Sequence, residues 1–167
     1  MNRLSNKIAI VTGVSRSNGI GTAVCRSFAN EGADVFFTHW SKYDEQMEYV
    51  FENDWPDQLT MEIRKLGLRC EHMELDLSAT DAHIRLLDEV NKKLGSPSIL
   101  VNNATHCVNE DFRSLSAESL DLHCAVNVRG TMLLTVEFAQ RINLVDLLVL
   151  LVLFPKLSLR EYHKLAH

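Results

Sequence analysis

The stretch KIAIVTGVSRSNGIG, from Lys7 to Gly21, constrains this chain more than any other. A β-branched run, Ile8 to Val11, gives way at Thr12-Gly13 to a polar loop, and Gly19-Ile20-Gly21 follows. The pattern implies a short buried strand, a glycine-rich turn and a helix N-terminus. Glycines there let the backbone turn sharply and keep side chains out of the helix–strand contact. The helix start offers unpaired N–H groups and the positive end of its dipole, which suits an anion such as a pyrophosphate. Such a unit begins a β-α-β crossover, so parallel strands joined by helices should follow.

The rest of the chain keeps that alternation. A helix over 20–30 is closed by Gly32, and DVFFT over 34–38 reads as a second strand. Residues 39–57 are polar and aromatic without a clean period, which predicts loop with some helix. Pro56 suits a first turn, and Leu59, Ile63 and Leu66 predict a helix over 58–66 stopped by Gly67. A third strand is expected over 69–75. Ser78-Ala79-Thr80-Asp81 has the form of a capping box, opening a helix to Leu94 that Gly95 stops. A fourth strand over 98–101 runs into Asn102-Asn103-Ala104, and Ser116 caps a long amphipathic helix to about Arg141. The expected fold is α/β, an open, doubly wound parallel sheet of Rossmann type.

Composition narrows the function. The chain has 167 residues, 46% of them hydrophobic, enough for one domain with a core. A formal net charge of −5 with no long basic run argues against a nucleic-acid partner. The four cysteines (Cys25, Cys70, Cys107, Cys124) form no Cys-x-x-Cys pair, so neither a disulfide framework nor zinc is expected, and a cytoplasmic setting is. The apolar run from Leu147 to Phe154 is far shorter than the roughly 20 residues that span a bilayer, so no membrane partner is expected. The seven histidines lack metal-ligand spacing, and His72, near Cys70 and Met73 on a strand, reads as structural. His106 and Cys107 could pair as base and nucleophile on paper, but adjacent residues rarely face one another.

Taken jointly, Thr12-Gly13 with Gly19-Ile20-Gly21, Asp76 after the third strand, Asn102-Asn103-Ala104 after the fourth, and Asn127-Val128-Arg129-Gly130 resemble the short-chain dehydrogenase/reductase family. The motifs come in the family's order, and the resemblance runs from about Ser5 to Arg141. The text is most similar to the 3-oxoacyl-acyl-carrier-protein reductase group. The resemblance implies an oxidoreductase that reduces a small-molecule carbonyl, or oxidises the alcohol, with a nicotinamide cofactor. It implies that Gly13, Ser15, Gly19, Ile20 and Gly21 line the pyrophosphate turn. Asp76 would accept from the adenine amino group, with Leu77 adding a backbone contact. Asn103 and Ala104 would lie under the adenosine ribose, while Asn102 would tie the fourth strand to the first. Asn127 would support the catalytic proton relay, and the helix from Ser116 to Arg141 would pair two copies. Two departures stand out. Five residues, Val14 to Asn18, separate the first two glycines where the family usually has three, and Thr105 replaces a motif glycine.

Charge bears on the cofactor. NAD-specific members place a carboxylate at the end of the second strand, against the ribose diol. Here that position is His39, between Thr38 and Trp40, and no acid would repel a 2′-phosphate. Arg16 could pair with that phosphate through its planar fork, or stand as a solvated loop charge. NADP is therefore expected ahead of NAD.

After Arg141 the resemblance stops. The family's serine and its tyrosine four residues before a lysine have no counterpart: Tyr162 and Lys164 are two apart, and Ala166 stands four after Tyr162. Residues 1–141 thus read as the dinucleotide-binding part, and 142–167 as a foreign, truncated or frame-shifted apolar tail. The 147–154 run could pair with the fourth strand as a makeshift strand or extend the preceding helix. Three outcomes stay open for the chain: a reductase by lineage, inactive for want of its acid; a nucleotide-binding fragment; or a non-catalytic partner subunit.

Overall fold

Alternation along one short strand sets the architecture. In the computed structural model, which describes residues 3–45, 52–108, 113–142 and the backbone of 148–151, strand β1 (Ile8–Val11) is buried throughout. Successive side chains point to opposite faces of a sheet. Ile8 and Ile10 join Phe36 and Leu100 in one core, and Ala9 and Val11 join Val35, Phe37 and Val101 in another. A strand buried on both faces needs a continuous apolar run, which is why IAIV carries no polar residue.

β1 pairs in parallel with β2 (Asp34–His39) on one side and β4 (Ile99–Asn102) on the other. β3 (Cys70–Glu74) adds outside β2 and β5 (Leu148–Leu151) outside β4, giving the order β3-β2-β1-β4-β5. Helices α1 (Ile20–Asn30) and α3 (Trp55–Arg64) cover one face through Cys25, Ala29, Leu59 and Ile63. Between β2 and α3 lies the single turn α2 (Ser41–Asp44). Helix α4 (Ala82–Lys93) covers the other face through Leu86, Leu87 and Val90. The chain moves outward from β1 to β3, then crosses back to β4. The sheet therefore reverses direction between β1 and β4, and a crevice opens beyond their C-terminal ends. This is the Rossmann-like arrangement that the alternation of elements implies.

The long helix is less regular than its amphipathic period suggests. Ser116 caps it as expected, its Oγ accepting from the Ser119 N–H at 3.1 Å. After α5 (Ala117–His123) the backbone widens into a π-helical turn, Cys124–Gly130, before resuming as α6 (Thr131–Arg141). Gly130 ends this turn in close contact with the loop after β3: a Cβ there would come 2.5 Å from the carbonyl oxygen of Leu77. α6 packs Leu134 and Phe138 on the α4 face of the sheet.

Two local expectations need correction. Ser78 does not cap α4, which begins only at Ala82. Asp76 competes two residues earlier, its Oδ1 accepting from the Ser78 N–H at 2.8 Å, so 78–81 form a turn instead. The helix expected over 58–66 starts earlier, at Trp55, with Pro56 in its first turn. Of the two fates open to the apolar run after Arg141, the backbone takes the strand: β5 (Leu148–Leu151) pairs in parallel with β4, Ile99 against Leu148 through Asn102 against Leu151. The rest of the tail, with Tyr162 and Lys164, lies outside the described residues.

All four cysteines are free, Cys25 and Cys70 in the core and Cys124 exposed. Burial pushes the Cys70 thiol up to about 12 and the Cys25 thiol well above its ordinary range. Reactivity belongs to the thiolate. Alkylation of the native chain at neutral pH should modify Cys124 first and spare Cys25 and Cys70, both of which should react once denaturant is added. Mass mapping of labelled peptides checks this, and early loss of the Cys25 thiol would contradict the packing of α1.

Candidate functional site

The crevice is built around two glycines that no other residue could replace without movement. Gly13 has φ +74°, and a Cβ on it would lie 2.6 Å from the Cα of Ala104. Gly21 starts α1 so close to the turn that a Cβ would meet the Asn103 amide at 2.8 Å and the Val14 methyl at 2.9 Å. Asn103 fills the junction. Its Nδ2 donates to the carbonyls of Thr12 and Gly13, both at 2.9 Å, and its N–H donates to Thr12 Oγ1 at 3.0 Å. The tie between the fourth strand and the first is thus made by Asn103. Asn102, expected in that role, points its amide toward α6, donating to Thr135 Oγ1 at 3.1 Å. The correction follows from strand alternation, which sends neighbouring asparagines to opposite faces.

The long glycine loop is held from the α3 side. Val14 is buried and donates its N–H to the Thr38 carbonyl at 2.7 Å. The Ser17 N–H and Oγ reach the Glu52 carboxylate, and Thr22 Oγ1 donates to the Arg16 carbonyl at 2.6 Å. Trp55 Nε1 donates to Thr22 Oγ1 at 3.0 Å, and the Arg26 guanidinium lies over the Trp55 ring. Glu52 and Trp55 carry no local signal for this task, since each acts 33 or more residues from its partner.

A cleft of about 680 Å³ opens over this turn. Gly13, Ser15, Arg16, Gly19, Ile20 and His39 line it together with Asp76, Leu77, Asn103 and Ala104. Eleven of the sequence-derived positions are Gly13, Ser15, Arg16, Gly19, Ile20, Gly21, His39, Asp76, Leu77, Asn103 and Ala104, and all but Gly21 border the cleft. Gly21 lies behind it, between helix and turn. Gly19 is the residue before α1, and no side chain caps that helix start. Ile20 is 53% exposed at its mouth. Asp76 borders the cleft and uses Oδ1 to accept from the Ser78 N–H of its own turn. At the end of β2, burial and the neighbouring His72 hold His39 below the usual histidine range, against the opposing pull of Glu74, Asp44 and Asp57.

Asn127 sits apart from the wall residues and works as a latch. Its Oδ1 accepts from the His106 N–H at 2.8 Å and from Thr105 Oγ1 at 3.2 Å, while Nδ2 donates to the His106 carbonyl at 2.9 Å. Thr105, the departure from the motif glycine, thus gains a partner through its hydroxyl. Tyr43 on α2 spans the same loop from the other side: its OH donates to the Cys107 carbonyl at 2.7 Å and accepts from the Cys107 N–H at 3.0 Å. The His106 ring lies between those of Tyr43 and His123. Tyr43 was invisible to motif reading, because it lies in a segment without period and meets a loop 64 residues away.

These contacts set expected losses. Asn127→Asp cannot donate to the His106 carbonyl and places a carboxylate beside it, so urea unfolding should show a loss of about 1–3 kcal/mol. Gly13→Ala should cost more than about 1 kcal/mol, because the backbone there is left-handed and the methyl meets Ala104. A Gly13→Ala chain as stable as the unmodified one would contradict the close approach.

Comparison with known proteins agrees with this geometry. The sequence profile of the short chain dehydrogenase family matches residues 7–144. An oxidoreductase of Bacillus subtilis, YjdA, itself described as uncharacterized, is 43% identical over 141 residues, which are 84% of this chain and 53% of YjdA. A short chain dehydrogenase from Burkholderia cenocepacia, solved in complex with NADP, superimposes with a TM-score of 0.71 at 29% identity, covering 84% of this chain and 53% of that one. A blue fluorescent protein from a metagenomic library, solved in complex with NADPH, gives 0.71 at 25% identity over 83% of this chain and 52% of its own. The chain spans about half the length of the curated relatives it matches. No helix among the described residues is long and apolar enough to cross a membrane. The chain belongs to the short chain dehydrogenase family.

Proposed function

We propose that this chain is the cofactor-binding part of an NADP(H)-dependent short-chain reductase. The observation that carries the reading is the uncapped start of α1. It opens through Gly19 into the cleft at the point where the sheet reverses. Uncapped helix N–H groups and a side-chain-free approach fit a pyrophosphate. On this reading Gly13 shapes the turn, Gly19 and Ile20 receive the phosphates, and Gly21 lets helix and turn close together. Asp76 and Leu77 hold the adenine, and Asn103 and Ala104 the ribose. Arg16 and the acid-free end of β2 favour a 2′-phosphate, in keeping with the NADP and NADPH named for the two solved relatives.

The cofactor, when bound, supplies a hydride for a carbonyl carbon. The carbonyl oxygen then needs an acid. Asn127 holds the loop over β4 and would position that relay, but the 167 residues contain no tyrosine four before a lysine. On this reading these residues hold the nucleotide, and the tyrosine–lysine acid is not among them. The 3-oxoacyl reductase group that the motifs resemble makes a 3-oxoacyl thioester the substrate class proposed for the whole enzyme. A cytosolic setting suits the four free cysteines.

The binding test separates site from scaffold. Gly19→Asp supplies a favoured helix cap and so should leave the fold intact. Its charge at the helix mouth should weaken NADPH binding by at least about tenfold, or 1.4 kcal/mol. Arg16→Ala should erase much of any preference for NADPH over NADH. Fluorescence titration reads both, and an unmodified chain that prefers NADH would refute the choice of NADP.

A second reading, compatible with the first, makes the chain a subunit that pairs with its own copy. Met132 and Val136 are 52% and 48% exposed on α6, and Leu120, Leu122 and Val128 are exposed along the same long helix. Replacing Met132 and Val136 together by glutamate should shift the sedimentation coefficient from dimer to monomer without loss of helix. A monomer before substitution would end this reading.

A further inference from the structure

Behind His39 stands a chain of titratable groups that cofactor binding alone does not require. His72 Nε2 lies 3.2 Å from Asp57 Oδ1, at the start of α3. A carboxylate only accepts, so this ring nitrogen carries the hydrogen. In the neutral ring His72 Nδ1 is then an acceptor, and it lies 3.2 Å from His39 Nε2. His39 must therefore donate from Nε2, which leaves Nδ1 as a bare acceptor. The relay is held in place: the His72 ring stacks on Phe37 at 5.3 Å and 16°.

His39 ends β2 and lines the cleft where the second ribose position is expected. A bare ring nitrogen there suits a 2′-hydroxyl, which can donate. It offers nothing to a doubly charged 2′-phosphate, which can only accept, so the pull of Arg16 acts unaided by His39 until the ring gains a proton. Adding one proton to the ring turns Nδ1 into a donor and gives the phosphate a cation. We propose that Asp57, His72 and His39 form a tautomer relay that makes the cleft's choice between 2′-phosphate and 2′-hydroxyl nucleotides depend on pH. The phosphate form is taken with uptake of one proton and the hydroxyl form with none. This rests on the reading of the cleft as a nicotinamide dinucleotide site.

The surroundings support the switch from both sides. Burial and His72 keep His39 neutral in the free chain, while Glu74 on β3, Asp44 on α2 and Asp57 on α3 stand ready to stabilise the ring once charged. Lys42 on α2 and Arg16 from the glycine loop line the same cleft and bring positive charge to the phosphate.

Calorimetry on the full chain, with NADPH and with NADH in buffers of different ionisation enthalpy, tests the relay. The range from pH 6.5 to 8 keeps the phosphate mostly doubly charged, since its second pKa is about 6. NADPH should bind with uptake of nearly one proton, its affinity falling by up to about tenfold per pH unit, while NADH changes by less than about twofold. Nitrogen-15 spectra at pH 8 should show His39 protonated at Nε2. His39→Gln should abolish the proton uptake. Asp57→Asn, at an exposed position that leaves the fold undisturbed, should lower the Nε2–H population of His39 and the NADPH slope together. A pH-independent NADPH to NADH ratio, a slope that survives His39→Gln, or an Nδ1–H tautomer at pH 8 would overturn the relay while leaving the nucleotide site standing. Absence of binding by either nucleotide at every pH would overturn both.

Discussion

Everything in the cleft depends on how closely Gly13 approaches Ala104. With no Cβ on Gly13, the end of β1 and the loop after β4 touch backbone to backbone, and Asn103 stitches them through the carbonyls of Thr12 and Gly13. That stitch places α1, since Gly21 rests against the same amide. The uncapped helix start, the turn and the floor of the cleft are therefore one unit. A fault at any of the three glycine or asparagine positions would move all of them.

β1, β2 and β4 were legible because their central residues are buried on both faces and so read as apolar runs, whereas β3, with Glu71, His72 and Glu74, is only partly covered. Helix 20–30 was legible for a similar reason: Gly32, at φ +89°, ends it by conformation rather than by contact. Where the reading failed, a competing local interaction or a distant one decided. Ser78 had the form of a cap, but the Asp76 carboxylate took its N–H first. The paired asparagines at the end of β4 could not be told apart without knowing which of them faces β1. A period of 3.6 residues cannot reveal a π turn such as Cys124–Gly130, whose last residue lies against the Leu77 carbonyl.

At the site, the glycine and aspartate positions were legible because their chemistry is local: a turn, a helix start, a strand end. Tyr43, Glu52 and Trp55 were not, because each ties together segments far apart in sequence. His72 was read as a structural residue, and its stacking on Phe37 agrees with that, yet the same ring also joins His39 to Asp57. A residue's packing role and its hydrogen-bonding role are separate, and only coordinates show the second.

The π turn has one more consequence. Within Cys124–Gly130, Asn127 grips the peptide of His106, Arg129 donates to the Ser78 carbonyl at 2.6 Å, and Gly130 rests on Leu77. The first contact belongs to the loop after β4 and the other two to the loop after β3. Four consecutive residues of one helix thus act as a gauge block between the two loops that form a wall of the cleft. The spacing of that wall is set by the pitch of a single turn and not by the sheet. A change at the far end of the sheet would then leave the width of the cleft unaltered.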